Sequence, residues 1–374
     1  QRISDHDCQH SIMQGNHASK CNQHIAYKTF RRLKCKKTIA WSRTLAVPPT
    51  WRTHIFSLHP VSYQCDNTSK RSTDYHPYLF LMRSRAASDI TIPINSSFVV
   101  LPLLTMSNCS RTISSILSGM PTSDGAGVRL TRYIGSPQLD TLDPFLMLDF
   151  FESDDPDDYI AGFPSHPHRG FETVTYMLAG RVRHEDNVGH AGVIEAGGIQ
   201  WMTAGRGIIH SEMPEQESGR LAGFQLWVNL PASQKMGSPA YQEFPAHQVP
   251  QEVRANEATI RVITGQTSLG ATGPVHDIVT DPLYLDVTVN RRSTFEEPIP
   301  ETHNGFIFVI DGTLLIESHH ANSAQSVTRR QLAVLGEGDR LVAHTSDVAA
   351  RFLLVAGRPI GEPVARYGPF VMNT

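Results

Sequence analysis

The stretch "GFPSHPHRGFETVTYMLAG", residues 162–180, sets two histidines one residue apart in a run that reads as an extended strand. Successive side chains of a strand point to opposite faces, so His166 and His168 share a face and can converge on one point. This is metal-ligand geometry, although an HxH pair also occurs in strands as a solvated or core-satisfied pair. Farther on, "TAGRGIIHSEM" (203–213) repeats the spacing: Gly205 and Gly207 allow a tight turn, and His210 and Glu212 follow on one strand face. Two strands with a same-face pair each supply three imidazoles and a carboxylate. That donor set without thiolate suits Fe(II), and also Mn, Ni, Cu or Zn, and such sites with open positions are typical of non-haem iron oxygen chemistry. A closed His3Glu zinc tetrahedron would leave no place for substrate, so Fe(II) is the expected metal.

From Val128 onward, short alternating apolar runs recur between Gly, Pro, Asn and Asp, among them "GVRLTRYIG", "AGFQLWVNL", "LYLDVTVN" and "ARFLLVAG". No long segment of helical period intervenes, so the body reads as all-β, a sandwich or barrel rather than βαβ units. Two segments, "GFETVTYMLAGRVRHED" and "GFIFVIDGTLLIESHH", place strand, glycine turn and strand in the same order. "HAGVIEAGGIQWMTAGRGIIH" and "RRQLAVLGEGDRLVAHTS" do likewise. The pattern predicts a duplicated small barrel with a boundary near Pro250, and only the first copy carries an HxH.

The bulk composition divides the chain. Residues 1–110 hold 14 Lys+Arg against 5 Asp+Glu, and residues 111–374 hold 19 against 31. All five cysteines, Cys8, Cys21, Cys35, Cys65 and Cys109, also fall in the first part, so the body has no disulfide framework, which fits a reducing compartment. Residues 1–110 lack a sustained hydrophobic period and are expected to be a disordered or non-native extension, with Met106 as a natural start. An Arg-rich, acid-poor organelle transit peptide is the alternative. The longest apolar run, "FVVLPLL" (98–104), is far short of the ~20 residues that span a bilayer. The sequons at Asn67, Asn95 and Asn108 would matter only in a secreted protein, and no clean signal peptide is present.

The motifs "LDPFLMLDFF", "GFPSHPHRGFETVTYML", "GHAGVIEAGGIQWMTAGRGIIHSEMP", "FQLWVNL", "AVLGEGD" and "GPFVMNT" together closely resemble the pirin family of the cupin superfamily, over about residues 124–374. The resemblance implies a bicupin of two double-stranded β-helix (jelly-roll) barrels: an N-terminal metal-binding cupin over 124–250 and a C-terminal metal-free cupin over 251–374. It places the family's iron ligands on His166, His168, His210 and Glu212, the four that strand parity selects. General cupins use the glutamate after HxH, here Glu172, which in pirins is not the accepted ligand; it is expected to be a supporting residue that Arg169 could pair. Family members continue past "FVMNT" with a helical tail whose loss would expose apolar surface, so the C-terminal cupin is expected to be truncated. In the second barrel His303 stands in the place of the HPH, and His303, His319, His320 and His344 are expected to be surface residues.

Two functions follow from the resemblance. One is flavonol (quercetin) 2,3-dioxygenase activity, with Glu212 as the base that accepts the substrate hydroxyl proton, dioxygen as co-substrate, and Trp201, Met202, Phe163 and Phe171 lining an apolar pocket. The other is an iron-dependent, redox-sensing nuclear co-regulator acting on transcription factors through protein contacts, in nucleus and cytoplasm. The acidic body argues against direct DNA binding. A pocket open to solvent and large enough for a flavonol favours the enzyme; a plugged one favours the sensor. The chain is expected to be a monomer without membrane contact. Limited proteolysis is expected to trim it rapidly to about residue 110, and a resistant fragment starting upstream would mark a folded domain instead.

Overall fold

The computed structural model describes residues 109–255, 258–317 and 324–374; the N-terminal extension up to residue 108, together with His319 and His320, lies outside the described residues. In chain order the strands are β1 (Ile113–Leu117), β2 (Met120–Asp124), β3 (Val128–Ile134), β4 (Phe145–Ser153), β5 (Phe163–His168), β6 (Phe171–Ala179), β7 (Arg181–Asp186) and β8 (Ala191–Glu195). They continue as β9 (Ile199–Thr203), β10 (Ile208–Pro214), β11 (Leu221–Asn229), β12 (Ala240–Phe244), β13 (Gln251–Val253), β14 (Thr259–Thr264), β15 (Leu283–Val289) and β16 (Thr294–Pro298). The last are β17 (Asn304–Asp311), β18 (Thr313–Ile316), β19 (Gln325–Thr328), β20 (Leu332–Leu335), β21 (Arg340–His344), β22 (Ala350–Gly357), β23 (Ala365–Tyr367) and β24 (Phe370–Met372).

The all-β, two-barrel expectation holds. The first barrel pairs a seven-stranded sheet, β12-β9-β6-β11-β4-β3-β2, with a four-stranded sheet, β5-β10-β7-β8. The second repeats the plan with β1-β20-β17-β22-β15-β14-β13 and β16-β21-β18-β19. Among the described residues no helix is long and apolar enough to cross a membrane. Two strands, β1 and β2, precede the first strand expected at Val128. Every residue of β2 is exposed, so no side-chain pattern announces it and its pairing with β3 alone makes it a strand.

Chain ends cross between the barrels. β1 joins the second barrel by pairing with β20, and Arg111 anchors this approach by donating to the carbonyls of Pro300 (2.6 Å) and Gly336 (3.0 Å). In the other direction the β23–β24 hairpin returns to the first barrel, where Val371 N donates to Arg169 O and Arg169 N to Pro369 O. The close approach needs Gly170, with φ +86°, because a Cβ there would lie 1.9 Å from Val371 O. Buried Lys235 completes this seam, donating to Gly170 O, Asn229 Oδ1 and Val371 O.

A large apolar layer lies between the barrels, where the two seven-stranded sheets meet. Tyr133, Phe150 and Phe224 from the first surround Phe308 from the second, with ring centroids 4.9, 5.2 and 4.9 Å away. Within this layer Tyr176 Oη donates to Asp286 Oδ2 at 2.6 Å, and Arg351 forks onto both oxygens of that carboxylate. Thus the buried acid is paired and hydrogen-bonded, the condition under which a buried charge is tolerated. The second barrel's interior is filled by side chains such as Leu285, Phe295, Leu314, Leu341 and Phe352. Phe308→Ala is expected to cost about 3–5 kcal/mol in a urea titration, since it opens a cavity at this shared layer; a loss below about 1 kcal/mol would mean that the barrels do not depend on it.

Candidate metal centre

β5 and β10 are antiparallel neighbours in a register that sets His210 opposite His166 and Ile208 opposite His168. The three imidazoles therefore meet on one face of the four-stranded sheet. Ring centroids are 4.7 Å (His166–His168), 4.6 Å (His166–His210) and 4.9 Å (His168–His210) apart, and one nitrogen from each lies within 4.8 Å of the others. His166 Nδ1 donates to Pro164 O at 2.8 Å, which turns its Nε2 toward His168 Nε2, 2.9 Å away. His168 Nδ1 and both nitrogens of His210 are buried without a hydrogen-bond partner.

Burial favours the neutral imidazole at His168 and His210. Burial, then the neighbouring imidazoles His210 and His166, push His168 well below its ordinary value. Burial likewise lowers His210 to about 4, against the opposing pull of Glu212. Buried polar atoms ordinarily find a partner, and neutral nitrogens aimed at a common point are what a divalent cation takes as ligands. The residues fit a metal ion.

Glu212 stands outside the trio. A register irregularity separates it from His210 on the β5 side, while pairing with β7 runs unbroken, His210 opposite Asp186 and Glu212 opposite His184. Gln225 Nε2 donates to both its oxygens, at 3.2 and 3.0 Å, and Thr175 Oγ1 lies 3.0 Å from Oε1. Thr175 and Gln225 are themselves directly opposed on β6 and β11. Neither stood out in the sequence; the available signal was a glutamine amid the apolar residues of "GFQLWVN".

His166, His168 and Glu212 open onto a cavity of about 580 Å³. Phe163 lines it as expected, but Trp201, Met202 and Phe171 are buried in the core. Trp201 sits in the layer between the barrels, Met202 packs with Ala204 and Ile208, and Phe171 lies under Trp227. Trp227 is the aromatic wall instead. Its ring meets His168 edge-on at 5.3 Å, and the Arg366 guanidinium lies over that ring, 4.8 Å from its centroid. Val128, Leu130, Met147 and Phe151 add the apolar lining.

Glu172 points away from the centre. Thr175 and Phe171 on β6 face Glu212 and His168, so parity turns Glu172 to the opposite face, where it accepts from Thr203 Oγ1 at 2.7 Å rather than from Arg169. His303 is buried, contrary to the surface expectation, with Nε2 3.6 Å from Asp281; His344 is partly buried, facing Thr294 and Glu317. Burial raises the Glu172 carboxyl from 4.5 to about 7, with the Thr203 bond opposing. The folded chain then keeps a proton that the unfolded chain releases, so this group makes stability fall as pH rises from about 4.5 to about 7, then level off. Glu172→Gln is expected to be more stable than wild type at pH 8, by on the order of 3 kcal/mol, and nearly equal to it at pH 4.5. Urea unfolding at both pH values checks this, and a pH-independent difference would contradict it.

With this geometry in view, known proteins place the chain. The Pirin family pattern matches residues 127–228 and the Pirin C-terminal cupin domain matches residues 284–374. The chain is 52% identical to a pirin-like protein of Caulobacter vibrioides over 71% of its own length and 93% of that protein. It is 43% identical to pirin of Homo sapiens, over 72% and 90%. A crystal structure of quercetin 2,3-dioxygenase from Acinetobacter baumannii matches with TM-score 0.64 and 30% identity, covering 71% of this chain and 93% of that one.

Proposed function

The chain belongs to the pirin family, and from that premise we propose that it is a non-haem metal dioxygenase acting on a flavonol such as quercetin. The observation that carries this reading is the cavity of about 580 Å³ on which His166, His168 and Glu212 open. Its size falls in the ~300–1,000 Å³ range of small-molecule sites. The Acinetobacter baumannii relative, named a quercetin 2,3-dioxygenase, supports the choice of substrate.

His166, His168, His210 and Glu212 would hold the metal, Fe(II) before Mn, Ni, Cu or Zn on donor type. When bound, the metal supplies Lewis-acid polarisation and a template for substrate and dioxygen. The chain's own residues do the rest. Glu212 accepts the flavonol hydroxyl proton on a carboxylate oxygen, and the Gln225 amide keeps that carboxylate aimed. Phe163 and Trp227 present apolar walls to a flat ring system.

The alternative, a redox-sensing nuclear regulator that meets transcription factors, uses the same ligands. The open cavity favours the enzyme over this reading. With 19 Lys+Arg against 31 Asp+Glu in residues 111–374, the folded body would meet basic protein surfaces rather than DNA.

The deciding experiment compares quercetin turnover with and without dioxygen on the Fe(II)-loaded chain, with metal content measured in the same sample. Oxygen-dependent loss of the flavonol is expected. His168→Ala should abolish it together with the bound metal at this centre, while the circular dichroism spectrum stays that of the folded barrel. Bound iron without turnover would overturn the enzyme reading, and full metal retention by His168→Ala would overturn the ligand assignment.

A further inference from the structure

A second group of metal-ligand side chains lies on the first barrel. One nitrogen each of His184 and His190 and an oxygen of Glu243 sit within 4.8 Å of one another. His184 comes from β7, His190 from the turn between β7 and β8, and Glu243 from β12. β8 is an edge of the four-stranded sheet and β12 an edge of the seven-stranded sheet, so the group bridges the open seam of the barrel.

Its local structure is built for convergence. Asp186 Oδ1 accepts from the backbone N–H of Val188 (2.9 Å) and His190 (2.8 Å), which curls the turn and brings His190 back over the strand. The Tyr241 ring lies against His190 with centroids 4.2 Å apart and fixes its plane. Gly192, opposite His184 across the β7–β8 pair, leaves the space open: a Cβ there would stand 2.6 Å from His184 Nε2 and 3.3 Å from Glu243 Oε2. Gln200 Nε2 donates to Glu243 Oε1 at 2.6 Å and aims the carboxylate.

Hydrogen bonding leaves the imidazoles short. Both Nε2 atoms face the one carboxylate, His184 paired with Oε1 and His190 3.3 Å from Oε2, so two imidazoles share a single Glu243. His184 Nδ1 is also buried without a partner, and the His184 side chain is 0% exposed. Unpartnered buried nitrogens are costly and uncommon. His190 and Glu243, at 40% and 29% side-chain exposure, give access from solvent.

We propose that His184, His190 and Glu243 form a second divalent-cation site, distinct from the His166, His168 and His210 centre. Two imidazoles, one carboxylate and no thiolate form a donor set that zinc takes with a fourth position left for water. A cation there would tie the β7–β8 hairpin of the four-stranded sheet to the β12 edge of the seven-stranded sheet. It would also steady the wall of the first centre, because His184 pairs in register with Glu212 and Asp186 with His210.

The test uses the full chain, stripped of metal and titrated with Zn2+, with bound metal counted after desalting. His190→Ala, a change at a half-exposed turn residue, is expected to hold one equivalent less than wild type. His166→Ala should also lose one, and the double variant two, so each site is counted against its own background. Zn2+ should raise the melting temperature of His166→Ala more than that of the double variant. If His190→Ala binds as much zinc as wild type, or if its melting response to zinc is unchanged in the His166→Ala background, the second site does not exist. Loss of metal by His166→Ala alone bears only on the first centre.

Discussion

The antiparallel pairing of β5 with β10 is the constraint on which the site depends. It sets His166 opposite His210 and, through the two-residue strand period, brings His168 to the same face. A shift of one residue would send either the His166–His168 pair of β5 or His210 of β10 to the other face of the sheet and break the three-imidazole convergence. Around this register the chain removes competing partners. Pro164 O accepts a hydrogen bond from His166 Nδ1, burial lowers the pKa of His168 and His210, and His168 Nδ1 and both His210 nitrogens are left without a hydrogen-bond partner.

The two barrels share a plan and differ in what fills them. In the second, aliphatic and aromatic side chains occupy the interior as one continuous cluster. In the first, the comparable space is divided among smaller clusters set around a cavity. A barrel with a hollow gives up apolar burial, and the structure offsets this from outside. The shared layer around Phe308 joins the two large sheets, and the chain ends cross in opposite directions, β1 to the second barrel and β23–β24 to the wall of the first. Val371 thereby reaches the cluster that contains Phe171 and Trp227, immediately behind His168. The C-terminal segment thus supports the site although it follows the second barrel in sequence.

Much of this was legible beforehand, for a definite reason. Strand parity is local, so HPH and HSE declare their shared faces without tertiary information, and recurrent alternating runs between glycine turns announce two β barrels. What the sequence did not disclose depends on pairing between distant strands. Thr175 and Gln225 become partners of Glu212 only when β6 and β11 align. Trp201 and Trp227 look alike in the sequence, yet one is sealed between the barrels while the other walls the cavity. β2 carries no buried residue and so has no hydrophobic pattern to read. The cluster of His184, His190 and Glu243 draws one ligand from a different sheet, a separation that no motif spacing encodes.

The central proposal is that the three imidazoles of His166, His168 and His210, with the amide-held Glu212 carboxylate, would hold a single metal ion. X-ray absorption spectroscopy of the Fe(II)-loaded chain carrying His190→Ala, so that the neighbouring cluster does not contribute, tests it most directly. The account predicts outer-shell scattering from three imidazole rings and a first shell of nitrogen and oxygen only. A first shell with one imidazole or none, or with sulfur, would contradict it.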